Sequence, residues 1–484
     1  MTPRAPLERL STGDPALDSI MHGGIPLQAV TVLAGEPGTG KTVLALQMLF
    51  HAARQGRKCL YFTSIAEPPT KLFRYMETFS FFDPRLLESH ILFVDLGNVL
   101  REGTTRTLQR IIDQLEEHEP AIVVIDSFRA VGEVLRLDEG KGRSFVYELA
   151  IQLSSWGATS LLVGEYTSED LREEAIFGIA DGIIRVGNER QELTTVREVE
   201  VLKLRGSDYV SGQHFFEITE RGWTCYPRVR APTQEDPALV PERLPTGVAG
   251  LDAMLGGGIP RLSATLLQGG TGTGKTLLSL AFLVEGARRG EPGIFFSLEE
   301  SPAQLRAFAA ACGWDLGPYE RDGLLLLAYT SPVELSTDRY LQQARDRVLS
   351  QGARRVVFDS LSTMGLGVAS ERRFKELVYA LTKHLRLGGA TLVMTVESAQ
   401  LLGASAASAV VGTGVSFASD NILQLRYVEA AGQLERAISV LKARGVHHAS
   451  GLRALSISDQ GMTVSTLPFK DLRGVLTGAR SEPE

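Results

Sequence analysis

The octapeptide Gly35-Glu36-Pro37-Gly38-Thr39-Gly40-Lys41-Thr42 restricts the fold of this chain more than any other stretch. It is a G-x-x-x-x-G-K-T phosphate loop. A β-type apolar run at residues 29–34 precedes it, and a helix-type run at 43–49 follows. Strand, glycine-rich loop and helix, in that order, give the pattern its meaning. The glycines let backbone N–H groups turn in around phosphate oxygens. The helix start adds unpaired donors and the positive end of its dipole. Lys41 is placed to reach β- and γ-phosphates, and the Thr42 hydroxyl to hold Mg²⁺. The expected ligands are ATP and Mg²⁺. The whole pattern then returns as Gly269-Gly270-Thr271-Gly272-Thr273-Gly274-Lys275-Thr276, displaced by 234 positions.

The repeat extends beyond the loops. Glu8-Arg9-Leu10, Thr12-Gly13, Leu17-Asp18 and Gly23-Gly24-Ile25-Pro26 recur, at the same displacement, as Glu242-Arg243-Leu244, Thr246-Gly247, Leu251-Asp252 and Gly257-Gly258-Ile259-Pro260. Apolar runs ending in Asp126-Ser127 and Asp359-Ser360 form a second pair. Lys203-Leu204-Arg205-Gly206 and Lys442-Ala443-Arg444-Gly445 form a third. A domain-sized period means a duplicated domain, not a solenoid. Pro227, Pro232, Pro237 and Pro241 punctuate the polar stretch between the copies, which reads as a semi-rigid linker. The expected domains are residues 1–230 and 242–484, joined by 231–241.

Within the first copy, apolar β-type runs at 58–63, 91–95, 122–125, 160–164 and 182–186 alternate with helical spacing at 71–79, 105–117 and 143–155. Strands apolar on both faces with helices between them imply an α/β fold: a mostly parallel sheet covered on both sides. The phosphate loop then lies at the carboxyl ends of the strands. Residues 196–218 alternate more like antiparallel edge strands.

Chemistry-bearing residues fall at matching places in the two copies. Asp126 and Asp359 end apolar strands, where a carboxylate can hold the water shell of Mg²⁺ opposite the loop. Glu299 and Glu300 follow another apolar run, placed to orient or deprotonate a nucleophile near the γ-phosphate. The first copy has Ala66-Glu67 there, so Glu67 alone is the candidate. Lys203 and Arg205 alternate on one strand and share a face, as do Lys442 and Arg444. Two cations on one face suit an anion.

Composition narrows the function classes. With 57 acidic against 50 basic residues, the net charge of −7 gives no bulk attraction to nucleic acid or anionic lipid. No apolar run is long enough to span a bilayer, and residues 1–10 lack the apolar core of a secretory signal. Cys59, Cys225 and Cys312 lie far apart without metal-type spacing and suit a reducing cytoplasm as buried, inert thiols.

Together these residues resemble the KaiC family of circadian clock ATPases and autokinases, within the RecA-like P-loop superfamily. The specific elements are the E-R-L-x-T-G-x-x-x-L-D opening, the tandem loops, Leu298-Glu299-Glu300-Ser301-Pro302 and the two Lys-x-Arg-Gly strands. The resemblance runs from Glu8 to about Leu476. It implies two tandem RecA-like domains in a double-ring hexamer with ATP between subunits, acting with signalling or clock-type partners. It further implies that Lys203, Arg205, Lys442 and Arg444 reach a neighbour's nucleotide. The first ring would be mainly an ATPase, the second a kinase acting on its own chain. The family's adjacent Ser-Thr phosphosite falls on Ser416-Phe417, and a nearby upstream Thr on Val411, so Ser416 is the one expected acceptor. Ala66 implies a slow first ring. The tail at 477–484 is shorter than the regulatory tail of clock members, which speaks against control by the clock's activator. A DNA motor of the same superfamily would need a basic groove and stacking aromatics. The pairs Arg288-Arg289, Arg354-Arg355 and Arg372-Arg373 are isolated, and nucleic acid is not expected. A nucleotide-gated scaffold with incidental turnover is the other alternative.

Overall fold

A computed structural model describes residues 7–63, 69–87, 89–131, 142–191, 194–235, 241–332, 336–368, 370–398, 416–430, 433–445, 447–449 and 451–469. The chain forms two compact units, one up to Arg228 and one from Val229 onward. Val229 and Arg230 already belong to the second unit. The Val229 N–H donates to Asp338 Oδ1 at 3.0 Å, and the Arg230 carbonyl meets His384 Nε2 at 2.8 Å.

The first unit opens with the short antiparallel pair β1 (Arg9–Leu10) and β2 (Ile25–Pro26). Its main strands are β3 (Val30–Gly35), β4 (Cys59–Thr63), β5 (Ile91–Asp95), β6 (Ile122–Asp126), β7 (Thr159–Glu165), β8 (Gly182–Gln191), β9 (Thr194–Leu204), β10 (His214–Thr219) and β11 (Gly222–Tyr226). They form one nine-stranded sheet in the order β11-β10-β9-β8-β3-β7-β6-β4-β5. The six strands from β5 to β8 run parallel, and β9, β10 and β11 continue antiparallel.

The second unit repeats this plan. After β12 (Arg243–Leu244) and β13 (Ile259–Pro260) come β14 (Ala264–Gly269), β15 (Gly293–Ser297), β16 (Leu325–Tyr329), β17 (Arg355–Asp359), β18 (Thr391–Glu397), β19 (Asn421–Ala430), β20 (Gln433–Ala443), β21 (Arg453–Ser458) and β22 (Gly461–Pro468). The sheet order is β16-β15-β17-β18-β14-β19-β20-β21-β22, again parallel up to β19 and antiparallel beyond. These are two RecA-like α/β units, as the alternating pattern implies.

The strand pleat explains the two-sided burial. Leu33, Tyr61, Val124 and Leu161 face one layer with Leu44, Leu46 and Leu49 of the helix Lys41–Arg54. Val32, Leu60, Val123 and Leu162 face the other, with Ile111 and Leu115 of Thr104–His118 and Leu149 and Leu153 of Gly142–Ser155. The second unit divides its core between two layers in the same way. Every residue of β3 and of β14 is buried, so each phosphate loop grows from the middle of a dry sheet.

The opening motif turns out to be a clasp. Asp18 Oδ1 accepts the Thr12 N–H at 2.8 Å and its hydroxyl at 2.7 Å; Asp252 Oδ1 accepts from Thr246 at the same two distances. Among the described residues, no helix is long and apolar enough to cross a membrane.

Candidate functional site

Each loop leaves its strand, turns through left-handed glycines (φ 75° at Gly38, 95° at Gly40) and enters a 14-residue helix at Lys41 or Lys275. A Cβ on Gly38 would meet nothing within 4 Å, so the loop is open on that side. A Cβ on Gly40 would come within 2.3 Å of Ile218, which fixes glycine at the helix start. Thr39 Oγ1 donates to the Glu36 carbonyl at 2.8 Å, and Thr273 Oγ1 to the Gly270 carbonyl at 2.8 Å; each hydroxyl braces its loop from within.

The lysines fold back over their own loops. Lys41 Nζ donates to the Gly35 and Glu36 carbonyls at 2.9 and 2.7 Å, and Lys275 Nζ to the Gly269 and Gly270 carbonyls, both at 2.9 Å. Burial holds both ammonium groups below the usual lysine range, opposed by nearby carboxylates: Glu165, Asp126 and Glu36 in one unit; Glu397, Asp359 and Glu299 in the other. A cation held in a ring of anionic groups at the head of such a loop suits phosphate.

The loop threonines meet the strand-end aspartates. Thr42 Oγ1 donates to Asp126 Oδ2 at 2.7 Å, and Thr276 Oγ1 to Asp359 Oδ2 at 2.7 Å. Burial is the main cause raising both carboxyl groups above the usual range. A hydroxyl and a carboxylate, oxygen donors only, fit a hard divalent cation such as Mg²⁺. Sequence reasoning missed the groups that aim these carboxylates. In the first unit the Tyr61 hydroxyl donates to Asp126 Oδ2 at 2.7 Å. In the second, Thr395 Oγ1 donates to Asp359 Oδ1 at 2.5 Å. Phe295 occupies the place of Tyr61, two residues into the corresponding strand, so the two units solve one problem with different neighbours.

Glu299 Oε1 accepts from Ser360 Oγ at 2.5 Å and from Thr363 Oγ1 at 2.6 Å. Glu300 has its carboxyl raised by burial first, then by the charges of Asp359 and Glu299. Both line a cavity of ≈ 650 Å³ with Thr271, Lys275, Thr276 and Asp359. A carboxylate raised in this way is a stronger base, and beside a phosphate cradle it is placed to take a proton. Glu67 lies outside the described residues, as does Ala66.

The late-strand cations are not brought to their own loops. In register, Lys203 faces Ile183 of β8, which faces Val32 of β3; Gly35 is three residues further, about 10 Å along the strand. Lys203 Nζ turns the other way, to the carbonyls of Phe177 and Gly178 at 3.2 and 3.1 Å, and Arg205 pairs with Asp181 at 3.2 Å. Lys442 likewise faces Ile422 and then Leu266, and donates to the Ser416 and Ser419 carbonyls at 3.2 and 2.7 Å. Arg444 lies 3.7 Å from Asp420. In both units these cations sit at the amino edge of the parallel strands, opposite the loop. Ser416, half-buried in the turn Ser416–Ala418, occupies that same edge.

Comparison with known proteins identifies the family. A family profile described as "ATPase: KaiC" matches residues 10–230 and again residues 244–468. The circadian clock oscillator protein KaiC of Picosynechococcus sp. is 31% identical over 98% of this chain and 92% of its own length. That of Acaryochloris marina is 31% identical over 95% and 89%. The circadian clock protein KaiC3 of Synechocystis sp. is 30% identical over 99% and 96%. With both halves matched and the relatives spanned almost end to end, the chain belongs to the KaiC family of ATPases.

Proposed function

We propose that this chain is a Mg²⁺-dependent ATPase with two nucleotide-binding units, one up to Arg228 and one from Val229 onward. It assembles as a double-ring homohexamer in the cytoplasm and serves signalling or timing through protein partners. The observation that carries this reading is one bonded constellation found in both units: the loop lysine on its loop's carbonyls, and the loop threonine on the strand-end aspartate at 2.7 Å.

In this reading phosphate oxygens replace the loop carbonyls as partners of Lys41 and Lys275, and the loop N–H groups of residues 35–42 and 269–276 surround them. Thr42 with Asp126, and Thr276 with Asp359, would hold Mg²⁺, which when bound would supply charge neutralisation to the phosphates. Glu300 receives the proton of the nucleophile in the second unit, and Glu299, fixed by two hydroxyls, orients it. Glu67 takes this part in the first. Lys203, Arg205, Lys442 and Arg444, stranded at the edge opposite their own loops, complete the site of the next protomer in the ring. Ser416 shares that edge with Lys442, which makes it the acceptor for a phosphoryl group carried by the neighbour's loop. The relatives named as clock oscillator proteins support the timing role.

Light scattering with and without Mg·ATP, paired with a phosphopeptide map after incubation, tests this. A hexamer that requires nucleotide, with any phosphate in residues 411–420 found on Ser416, is expected. A monomer at saturating Mg·ATP refutes the assembly. Phosphate on Ser419, which is buried and whose hydroxyl donates to the Ser416 carbonyl at 3.0 Å, refutes the assignment of the acceptor.

A further inference from the structure

The two units differ three residues after their strand-end aspartates. There the first unit carries Arg129 and the second Ser362. Both side chains reach the backbone of the matching strand-end residue, one at its carbonyl and one at its N–H. Arg129 Nη1 donates to the Glu165 carbonyl at 2.6 Å, and Ser362 Oγ accepts the Glu397 N–H at 2.9 Å. Glu165 and Glu397 each end the strand that lies beside the loop strand. At one matched place, therefore, the first unit puts a guanidinium and the second a hydroxyl.

That guanidinium is held. Nη1 also reaches Asp170 Oδ2 at 2.5 Å, and the group lies 5.5 Å from the centre of the Tyr166 ring. Asp170 is itself fixed by the Thr167 N–H at 2.7 Å and the Thr167 hydroxyl at 3.0 Å. Arg129 lines a cavity of ≈ 350 Å³ with Glu36, Pro37, Ser127, Glu165 and Tyr166. Glu36 and Pro37 are the second and third residues of the phosphate loop. Ser127 follows Asp126, the carboxylate that faces the metal position. Thr42 and Asp126 would hold Mg²⁺ there, and in phosphate-loop enzymes that metal serves the β- and γ-phosphates, so a bound nucleotide would have its terminal phosphate beside Asp126. An arginine fork carries five N–H donors in a plane that matches phosphate oxygens.

We propose that Arg129 binds the terminal phosphate of a nucleoside triphosphate in the first unit, in cis, and makes that site prefer triphosphate over diphosphate. Asp170 and Tyr166 are positioning residues that aim it. The proposal rests on the nucleotide-site reading above. Lys203 and Arg205 lie at the far edge, so Arg129, which shares its cavity with Glu36 and Glu165, joins Lys41 as a cation of the chain's own at the phosphate end. A mere surface ion pair with the partly exposed Asp170 would add little stability and no nucleotide preference.

The test uses the full chain carrying Lys275→Ala, so that binding reports on the first loop. A non-hydrolysable ATP analogue and ADP are titrated separately, each with Mg²⁺. Arg129→Ser, which installs the second unit's residue, should weaken the triphosphate roughly tenfold or more while ADP stays within about twofold. Unchanged ADP binding in the same sample shows that the unit is folded. Arg129→Lys keeps the charge but not the fork, and should give a smaller loss confined to the triphosphate. Should Arg129→Ser lose both nucleotides through misfolding, the lysine variant decides. Equal losses for both nucleotides in Arg129→Lys, or no loss in Arg129→Ser, overturns the proposal. A parent chain that binds neither nucleotide sinks the nucleotide-site reading and this proposal with it.

Discussion

At the residue scale, what a sequence shows best is a side chain whose partners are its own neighbours. Lys41, Thr42, Lys275 and Thr276 are legible because the loop that needs them is eight residues long. The partners of Asp126 and Asp359 are not, because Tyr61 and Thr395 reach them from other strands, 65 and 36 residues away. Arg129 escaped for the same reason: its meaning depends on Glu165 and Asp170, which only the folded sheet brings near. The cysteines follow the simpler rule of burial. Cys59 is 2% exposed in β4, and burial pushes its thiol up to about 12. The ordinary thiol lies near 8.5. Between those values the unfolded chain loses this proton and the folded chain keeps it. The thiol's contribution is therefore complete below about pH 8.5 and falls by about 1.4 kcal/mol per pH unit as pH rises towards 12. Urea unfolding of the parent and of Cys59→Ala at pH 8, 9 and 10 measures this. The gap between the two chains should move against the parent above pH 9, and parallel pH slopes would count against the buried, protonated thiol.

At the element scale, strand, loop and helix were readable wherever hydrophobic periodicity is undisturbed. The runs expected at 91–95 and 143–155 lie within a residue of β5 and the helix Gly142–Ser155. The run expected at 182–186 is instead the ten-residue β8, because pairing with β9 draws the polar residues Asn188 to Gln191 into the ladder. Backbone pairing overrides side-chain pattern at such a sheet edge. Capping is where the two copies part company. Asp14 ends its own turn by accepting the Ala16 and Leu17 N–H groups on Oδ1, both at 2.8 Å, and its Oδ2 accepts the N–H of Cys225 in β11 at 2.8 Å. One side chain so joins the first helix, Pro15–Ile20, to the last strand of its unit. In the second unit Val248 stands at the same cap and makes no side-chain hydrogen bond. Replacing Asp14 by Ala removes the cap and leaves the buried Cys225 N–H without that acceptor. The combined cost should be about 2–4 kcal/mol. Thermal unfolding should show a lower first transition with the second unchanged. A shift of both transitions together, or of neither, would argue that the cap is not local to the first unit.

At the scale of the whole molecule, the placement of four cations is the feature that a single chain cannot explain. Lys203 and Arg205 are held by groups at the amino edge of their sheet, and Lys442 and Arg444 by the matching groups of theirs. Their alternation on a strand was visible in the sequence. Their separation from the loop was not, because only the antiparallel return of β9 and β20 sends them to the opposite edge. A head-to-tail ring turns this into an arrangement with a use, since a heterologous contact sets one edge of a protomer against the opposite edge of the next. Mixed rings test it without requiring either variant to be active. One chain carries Lys41→Ala, the other Lys203→Ala with Arg205→Ala, and both carry Lys275→Ala to silence the second unit. Each alone should be nearly inactive, because every first-unit site lacks either its loop lysine or its donated cations. In rings re-formed from an equal mixture, roughly a quarter of contacts join an intact loop to intact cations, and turnover should return to about that share of the parent's. A chain that used its own Lys203 would behave otherwise: both partners would stay defective wherever they sat, and mixing would restore nothing.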